Sequence, residues 1–175
     1  MVEITYQMVL STLQTVGLLV GIYYYIMTLN NTRQNRRITL TTTVLQPFMT
    51  EEGQIKIREL IAMEWSSLDD FSSKYDHLVN PENAAKRLAL WNRCETIGIL
   101  YRDGLLDLKI LYGGSRGQIS MIWFKFKPVI EMYRETDMDA RAYEDFEYLA
   151  ERLLEYTKAR GGFSLSARAA RAYNK

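Results

Sequence analysis

From Met8 to Leu29 the chain runs for 22 residues without a charged side chain, MVLSTLQTVGLLVGIYYYIMTL. At 1.5 Å of rise per residue a helix of that length reaches about 33 Å, enough to cross the hydrocarbon of a bilayer. Backbone polar groups in lipid must be satisfied internally, so a crossing segment of this kind has to be helical. Ser11, Thr12, Thr15 and Thr28 are compatible with it because hydroxyls can bond back to the helix, and Gln14 lies toward one end. Tyr6 on one side and Tyr23, Tyr24 and Tyr25 on the other suit the two interfaces, where a ring sits in lipid with its hydroxyl in water. The competing reading is a buried core helix, kept open by the modest hydrophobicity of the first half and opposed by the second. A cleavable leader fits worse: Glu3 stands where a basic residue belongs, no A-x-A site follows, and the run ends directly in basic residues.

Charge orients the segment. Arg33, Arg36 and Arg37 follow its C-terminal end with no acid among residues 31–50, against only the terminal amine on the other side. The positive-inside rule then puts the N-terminus outside and the C-terminal body in the cytoplasm, at the cell (inner) membrane. Gly17 and Gly21 form a G-x-x-x-G pair, which strips side chains from one face and lets two membrane helices approach closely. The overall charge of +1 conceals segregation: residues 51–157 carry 14 basic and 20 acidic side chains, a balance of −6, and residues 158–175 are basic again with no acid.

With 175 residues, 47% apolar and 25% charged, the chain has room for an anchor and one packed domain. The patterns after the anchor are helical. Leu40, Val44, Leu45 and Phe48 form a stripe that continues the helix out of the membrane, although the β-branched cluster Thr39 to Val44 also suits a strand, and Pro47 marks the end. Thr50 before Glu51 and Glu52 reads as a cap, and Ile57, Leu60 and Ile61 carry the helix it opens. Ser67 with Asp70 resembles a capping box for a shorter helix through Tyr75. Asn80-Pro81 is the clearest start signal, opening a long helix whose face is Ala84, Leu88, Trp91, Cys94, Gly98 and Tyr101, stopped by Gly104. A short apolar piece, Leu105 to Tyr112, closes at Gly113-Gly114. A further helix is expected from Ser115 to Tyr133 with Pro128 bending or interrupting it, and a last one from Ala140 to Arg160 on the face Tyr143, Phe146, Leu149, Ala150, Leu153 and Tyr156. The expectation is therefore an all-α chain, one N-terminal transmembrane helix plus a cytoplasmic multi-helix bundle. Its parts are an anchor over residues 1–30, a basic helix or linker over 31–49, a helical domain over 50–160 and a flexible basic tail over 161–175.

Catalytic signatures are scarce. One cysteine and one histidine exclude a disulfide framework and a Cys/His zinc site. Cys94 reads as a small buried thiol and His77 as a loop or helix-end residue. Gly113-Gly-Ser-Arg-Gly117 lacks the Lys-Ser/Thr of a phosphate loop, and no G-x-S-x-G or H-E-x-x-H occurs. Asp137, Asp139, Glu144 and Asp145 could in principle bind a divalent cation, but the EF-hand spacing and its turn glycine are absent, and acids just before and within the first turn of the Ala140 helix are more simply explained by its dipole. No cofactor or metal is expected. Glu95, at the border of an apolar stripe, needs a partner, and an ion pair or capping contact with an arginine of another helix, Arg134 or Arg152, is the reading of choice. The tail, with Arg168, Arg171 and Lys175, can dock on anionic lipid or simply solubilise the end. The acidic body argues against nucleic acid as a partner.

The single apolar helix with its basic exit, the run Trp91-Asn-Arg-Cys-Glu95-Thr-Ile-Gly98-Ile-Leu-Tyr-Arg-Asp-Gly104-Leu-Leu-Asp107, and later Trp123, Pro128, Arg134 and Phe146-Glu-Tyr-Leu149-Ala-Glu-Arg152 resemble a family of uncharacterised prokaryotic membrane-anchored helical proteins, a domain of unknown function. The likeness covers most of residues 10–157. It implies a membrane location and a helical domain and brings no catalytic residues with it. The function expected from the whole is a membrane-tethered interaction or regulatory module, binding a protein partner or a second copy beside the lipid. The rivals are a membrane-bound enzyme working through Glu95, Asp107 or the Asp137/Asp139 group, and a protein that binds anionic lipid.

Overall fold

The computed structural model describes residues 6–115, 117–136 and 138–161. Among these residues the secondary structure is all helical: α1 (Tyr6–Met49), α2 (Glu51–Ile61), α3 (Leu68–Tyr75), α4 (Pro81–Arg102), α5 (Leu108–Ser115), α6 (Gln118–Thr136) and α7 (Glu144–Ala159). The chain divides into two compact units, Met1–Thr39 and Leu40–Lys175, and α1 contributes to both.

In the first unit, α1 is long and apolar enough to cross a membrane, and none of its most apolar window is buried. Its hydroxyls are satisfied by its own backbone: Thr12 donates to the Met8 carbonyl at 2.7 Å, Thr15 to Ser11 at 2.8 Å and Thr28 to Tyr24 at 2.9 Å. That back-bonding removes most of the cost that polar side chains would bring to a lipid environment.

The second unit has its own core. The last ten residues of α1 enter it through Val44, Leu45 and Phe48, so the stripe read from the sequence is the buried one and helix prevails over strand. Burial of these faces supplies what the threonine cluster's strand preference would otherwise decide. Pro47 lies inside the last turn, and α1 ends two residues later. The turn into α2 is tight: a Cβ on Gly53 would overlap the Pro47 carbonyl, Thr50 caps the Gly53 N–H at 3.3 Å, and Gln54 donates to the Phe48 carbonyl while exchanging bonds with Gln118 of α6. The other two start signals also hold, Ser67 accepting from the Asp70 N–H and Asn80 from the Asn83 N–H, each at 3.1 Å.

At the centre, Trp91 of α4 meets Phe126 of α6 edge-on at 5.5 Å, and Trp123 of α6 meets Phe146 of α7 at 5.0 Å. All four rings are fully buried, each worth about 2–3 kcal/mol of apolar burial. The most extensive packing joins α7 to α4, followed by α7 to α6, with α3 against both α4 and α6. Three boundaries differ from the sequence expectation. Gly113 and Gly114 lie inside α5 instead of closing it, α6 begins at Gln118 and runs through Pro128 to Thr136, and α7 begins at Glu144 instead of Ala140. The last shift has a local cause: Tyr143 sits in the left-handed region at φ 63°, ψ 27°, which no α-helix can include.

Candidate functional site

The most unusual local chemistry lies along the α4–α7 seam. A non-glycine residue with positive φ is uncommon, and for a bulky aromatic it is an outlier that surrounding contacts must hold. Tyr143 is held from α4 on two sides. Its hydroxyl donates to Asn92 Oδ1 at 3.0 Å, and its ring meets the edge of Trp91 at 5.7 Å. Tyr143 also occupies the N-cap position of α7 without offering a side-chain cap. The missing acceptor comes from Glu95, fifty-one residues away, whose Oε2 accepts the Phe146 N–H at 2.7 Å.

This corrects the expected partner of Glu95. The half-buried carboxylate turns to main-chain donors of α7, where the positive end of the helix dipole adds to the hydrogen bond. Arg134 instead donates from Nε to the Ala142 carbonyl at 2.8 Å and from NH1 to Glu147 at 3.1 Å. Arg152 pairs within its own helix with Glu155 at 2.7 Å. Burial pushes the Glu95 carboxyl above its ordinary range, with the charges of Asp145 and Glu144 pushing the same way, against the Phe146 and Asp145 N–H groups that pull it down. The Tyr143 hydroxyl is likewise raised, by burial first and by Glu95 second.

Two features make the seam close. Gly98 of α4 faces the main chain of Asp145, where a Cβ would overlap the carbonyl. Arg102, at the end of α4, lies over the Tyr148 ring at 4.6 Å and brings Nε within 2.7 Å of Asp145 Oδ1. That last approach is close but poorly aimed, leaving Asp145 Oδ1 buried without a hydrogen-bond donor. What this arrangement does chemically is make Glu95 harder to ionise while aiming it at the main chain of α7.

The other sequence candidates separate. Asp107 is occupied as a cap, accepting from the Lys109 and Ile110 N–H groups, and Asp139 accepts from the Arg141 N–H. Asp137 lies outside the described residues. Among the described residues no three His, Cys, Asp or Glu side chains converge as a metal site would require. Cys94 is buried, and that burial pushes its thiol up, which keeps it protonated and unreactive. His77 is exposed beside Asp76. Gly17 and Gly21 lie on the exposed part of α1 with open space where each Cβ would be. Arg33, Arg36 and Arg37 are exposed on the same helix, while Arg168, Arg171 and Lys175 lie outside the described residues.

One group escaped the sequence reading. Arg87 is 2% exposed, on the α4 face read as apolar, between the rings of Phe71 at 4.7 Å and Trp91 at 5.7 Å. Its NH1 donates to the Tyr75 carbonyl at the end of α3 and to Asn83 Oδ1, both at 2.8 Å. Lys125 of α6 behaves similarly, donating to the Met63 carbonyl at 2.7 Å beneath the Trp65 ring. With Arg134 on the Ala142 carbonyl, three basic side chains hold three chain connections by main-chain oxygens. Only the pairing of a cation with a nearby aromatic hinted at this in the sequence.

No match to the chain was found among curated proteins or among solved structures. A family model described as Domain of unknown function (DUF4760) matches residues 11–153, which include most of α1, the whole of α4 and the Glu95–Phe146 contact. The chain belongs to that family.

Proposed function

We propose that the chain is a single-pass, membrane-tethered interaction module, whose helical body serves a protein partner or a second copy of itself at the cytoplasmic face of the cell membrane. The observation that carries this reading is the surface of α1. Leu13, Leu18, Leu19, Val20, Tyr23 and Tyr24 are each 60% exposed or more on one helix, and only an apolar environment satisfies such a surface. The orientation rests on Arg33, Arg36 and Arg37, and the basic Arg168, Arg171 and Lys175 add attraction to anionic lipid. The body brings a packed core, an acidic balance and main-chain-directed polar contacts, a constitution suited to presenting a surface rather than to turnover.

The test is purification of the tagged full-length protein from gently solubilised native membranes, with mass spectrometry and a mass for the intact particle. A stoichiometric partner or a defined homo-oligomer, lost when the body is deleted and the anchor kept, is the expected result. A lone monomer, or recovery of the protein without membranes, would overturn the proposal.

A further inference from the structure

The start of α7 is held in place from outside the helix. It has no cap of its own, it follows a left-handed tyrosine, and four contacts from elsewhere keep it in place: Glu95 on the Phe146 N–H, Asn92 on the Tyr143 hydroxyl, the Trp91 edge, and Arg134 on the Ala142 carbonyl. Of these four, only the Glu95 contact changes character with a single proton below the tyrosine range. We propose that Glu95 is a proton-operated clasp of the α4–α7 seam: with its carboxyl neutral the strained turn at Tyr143 stays docked on α4, and with the carboxyl ionised that turn releases more readily.

The charges around Glu95 set the direction. On α7 it faces Asp145 and Glu144, both acidic, and Tyr143; Arg141 is engaged with Glu144. On its own helix Arg102 is drawn to Asp145, and Arg93 is exposed. On α6, Lys127 and Arg134 are both spent on Glu147. On α3, Asp70 and Lys74 pair with each other. Among the described residues no cation is thus aimed at Glu95, and an ionised carboxylate there has two backbone donors and the dipole of α7 set against burial and two like charges, with burial the largest of these. A neutral carboxyl keeps an acceptor for the Phe146 N–H and sheds that burden.

The docked state therefore binds the proton more tightly than the released state, in which Glu95 meets water. Linkage requires that docking be strongest below the ordinary glutamate range and weaken as the pH rises through the raised value in the docked state. This is the reverse of an exposed N-cap carboxylate, which holds best when charged. The inference stands apart from the proposed membrane role, since it concerns only contacts within the body.

Amide hydrogen exchange of the full-length protein in detergent micelles, from about pH 5 to about pH 8 and corrected for intrinsic exchange, reads the release directly. Protection at Phe146 and Glu147 is expected to fall as the pH rises, tenfold for each unit separating the docked and released acid constants, with amides in the middle of α6 unchanged. Glu95→Gln should abolish that slope and hold protection at its acid-side level. A flat wild-type profile, or a slope that persists in Glu95→Gln and vanishes in Asp145→Asn, overturns the proposal. Should Glu95→Gln fail to fold, carboxyl carbon NMR of the wild type decides: a Glu95 midpoint above ordinary glutamate and matching the exchange profile supports the clasp, and one at or below it refutes it.

Discussion

Gly98→Ala offers the sharpest test of the α4–α7 packing, because helix propensity and packing predict opposite signs. In an isolated helix the change stabilises by about 1 kcal/mol. Here the new Cβ would overlap the Asp145 carbonyl and come within 3.0 Å of the Asp145 Cβ. A main-chain carbonyl cannot rotate aside as a side chain can, so α7 has to withdraw by about 1 Å to restore contact distance. Overpacking of that kind costs about 1–3 kcal/mol. The same withdrawal stretches the 2.7 Å bond from Phe146 to Glu95 and the 3.0 Å bond from Tyr143 to Asn92 beyond useful length. Their loss adds about 2 kcal/mol. Net destabilisation of about 2–4 kcal/mol remains after the propensity gain, or about 10 °C in the melting temperature of the body. Circular dichroism melting of the full-length protein in mild detergent measures it. Gly113→Ala is the control: it too lies within a helix, with nothing within 4 Å of the added Cβ, and should be neutral or slightly stabilising. A Gly98→Ala protein that melts at or above the wild-type temperature would refute the close approach of the two helices.

Other substitutions probe other parts. Arg87→Lys should destabilise the body by about 2 kcal/mol in the same melting assay, because the shorter side chain loses the flat guanidinium packed between the Phe71 and Trp91 rings and the reach by which one of its nitrogens holds both the Tyr75 carbonyl and Asn83; a change below about 0.5 kcal/mol would contradict that role. Paired Leu18→Arg and Leu19→Arg replacements, each costing about 3 kcal/mol at the centre of a membrane helix, should move the protein from the membrane to the soluble fraction in alkaline-carbonate extraction without altering the melting of the body. Cys94 should resist alkylation by iodoacetamide in the native protein at neutral pH and react once the body is unfolded in denaturant; rapid native labelling would mean that the α4 face is open.

The parts of the fold legible in the sequence are those set by short-range chemistry. Thr50, Ser67 and Asn80-Pro81 cap their helices because each needs only an oxygen three residues from an N–H, and the stripe Val44, Leu45, Phe48 is buried because a period of 3.6 defines a face whatever it meets. What was not legible depends on partners distant in sequence. Gly113-Gly114 read as a connection, yet it stays helical, with the Leu45 side chain of α1 against the position where a Gly114 Cβ would be. Arg87 drew no notice in the sequence, and only the folded positions of Phe71 and Trp91 make a buried guanidinium tenable there. Glu95 was recognised as needing a partner. The acceptor-hungry start of α7 was hidden, since nothing local announces that Tyr143 leaves the helical region and that α7 therefore begins four residues late.

Lys125, Arg87 and Arg134 share a property with consequences for how such a chain can change over time. Each fastens a connection through its peptide oxygen, at Met63, Tyr75 and Ala142, and a peptide oxygen is the same whatever side chain follows it. Exposed positions of the connecting segments, such as Glu64, Leu78 and Ala140, are thereby free to exchange their side chains without unfastening the chain, whereas the buried Met63 and Tyr143 are not. Variation in this architecture should accumulate at the exposed loop positions and spare the three fastening cations, giving a body whose outer loops can change on an unchanged frame.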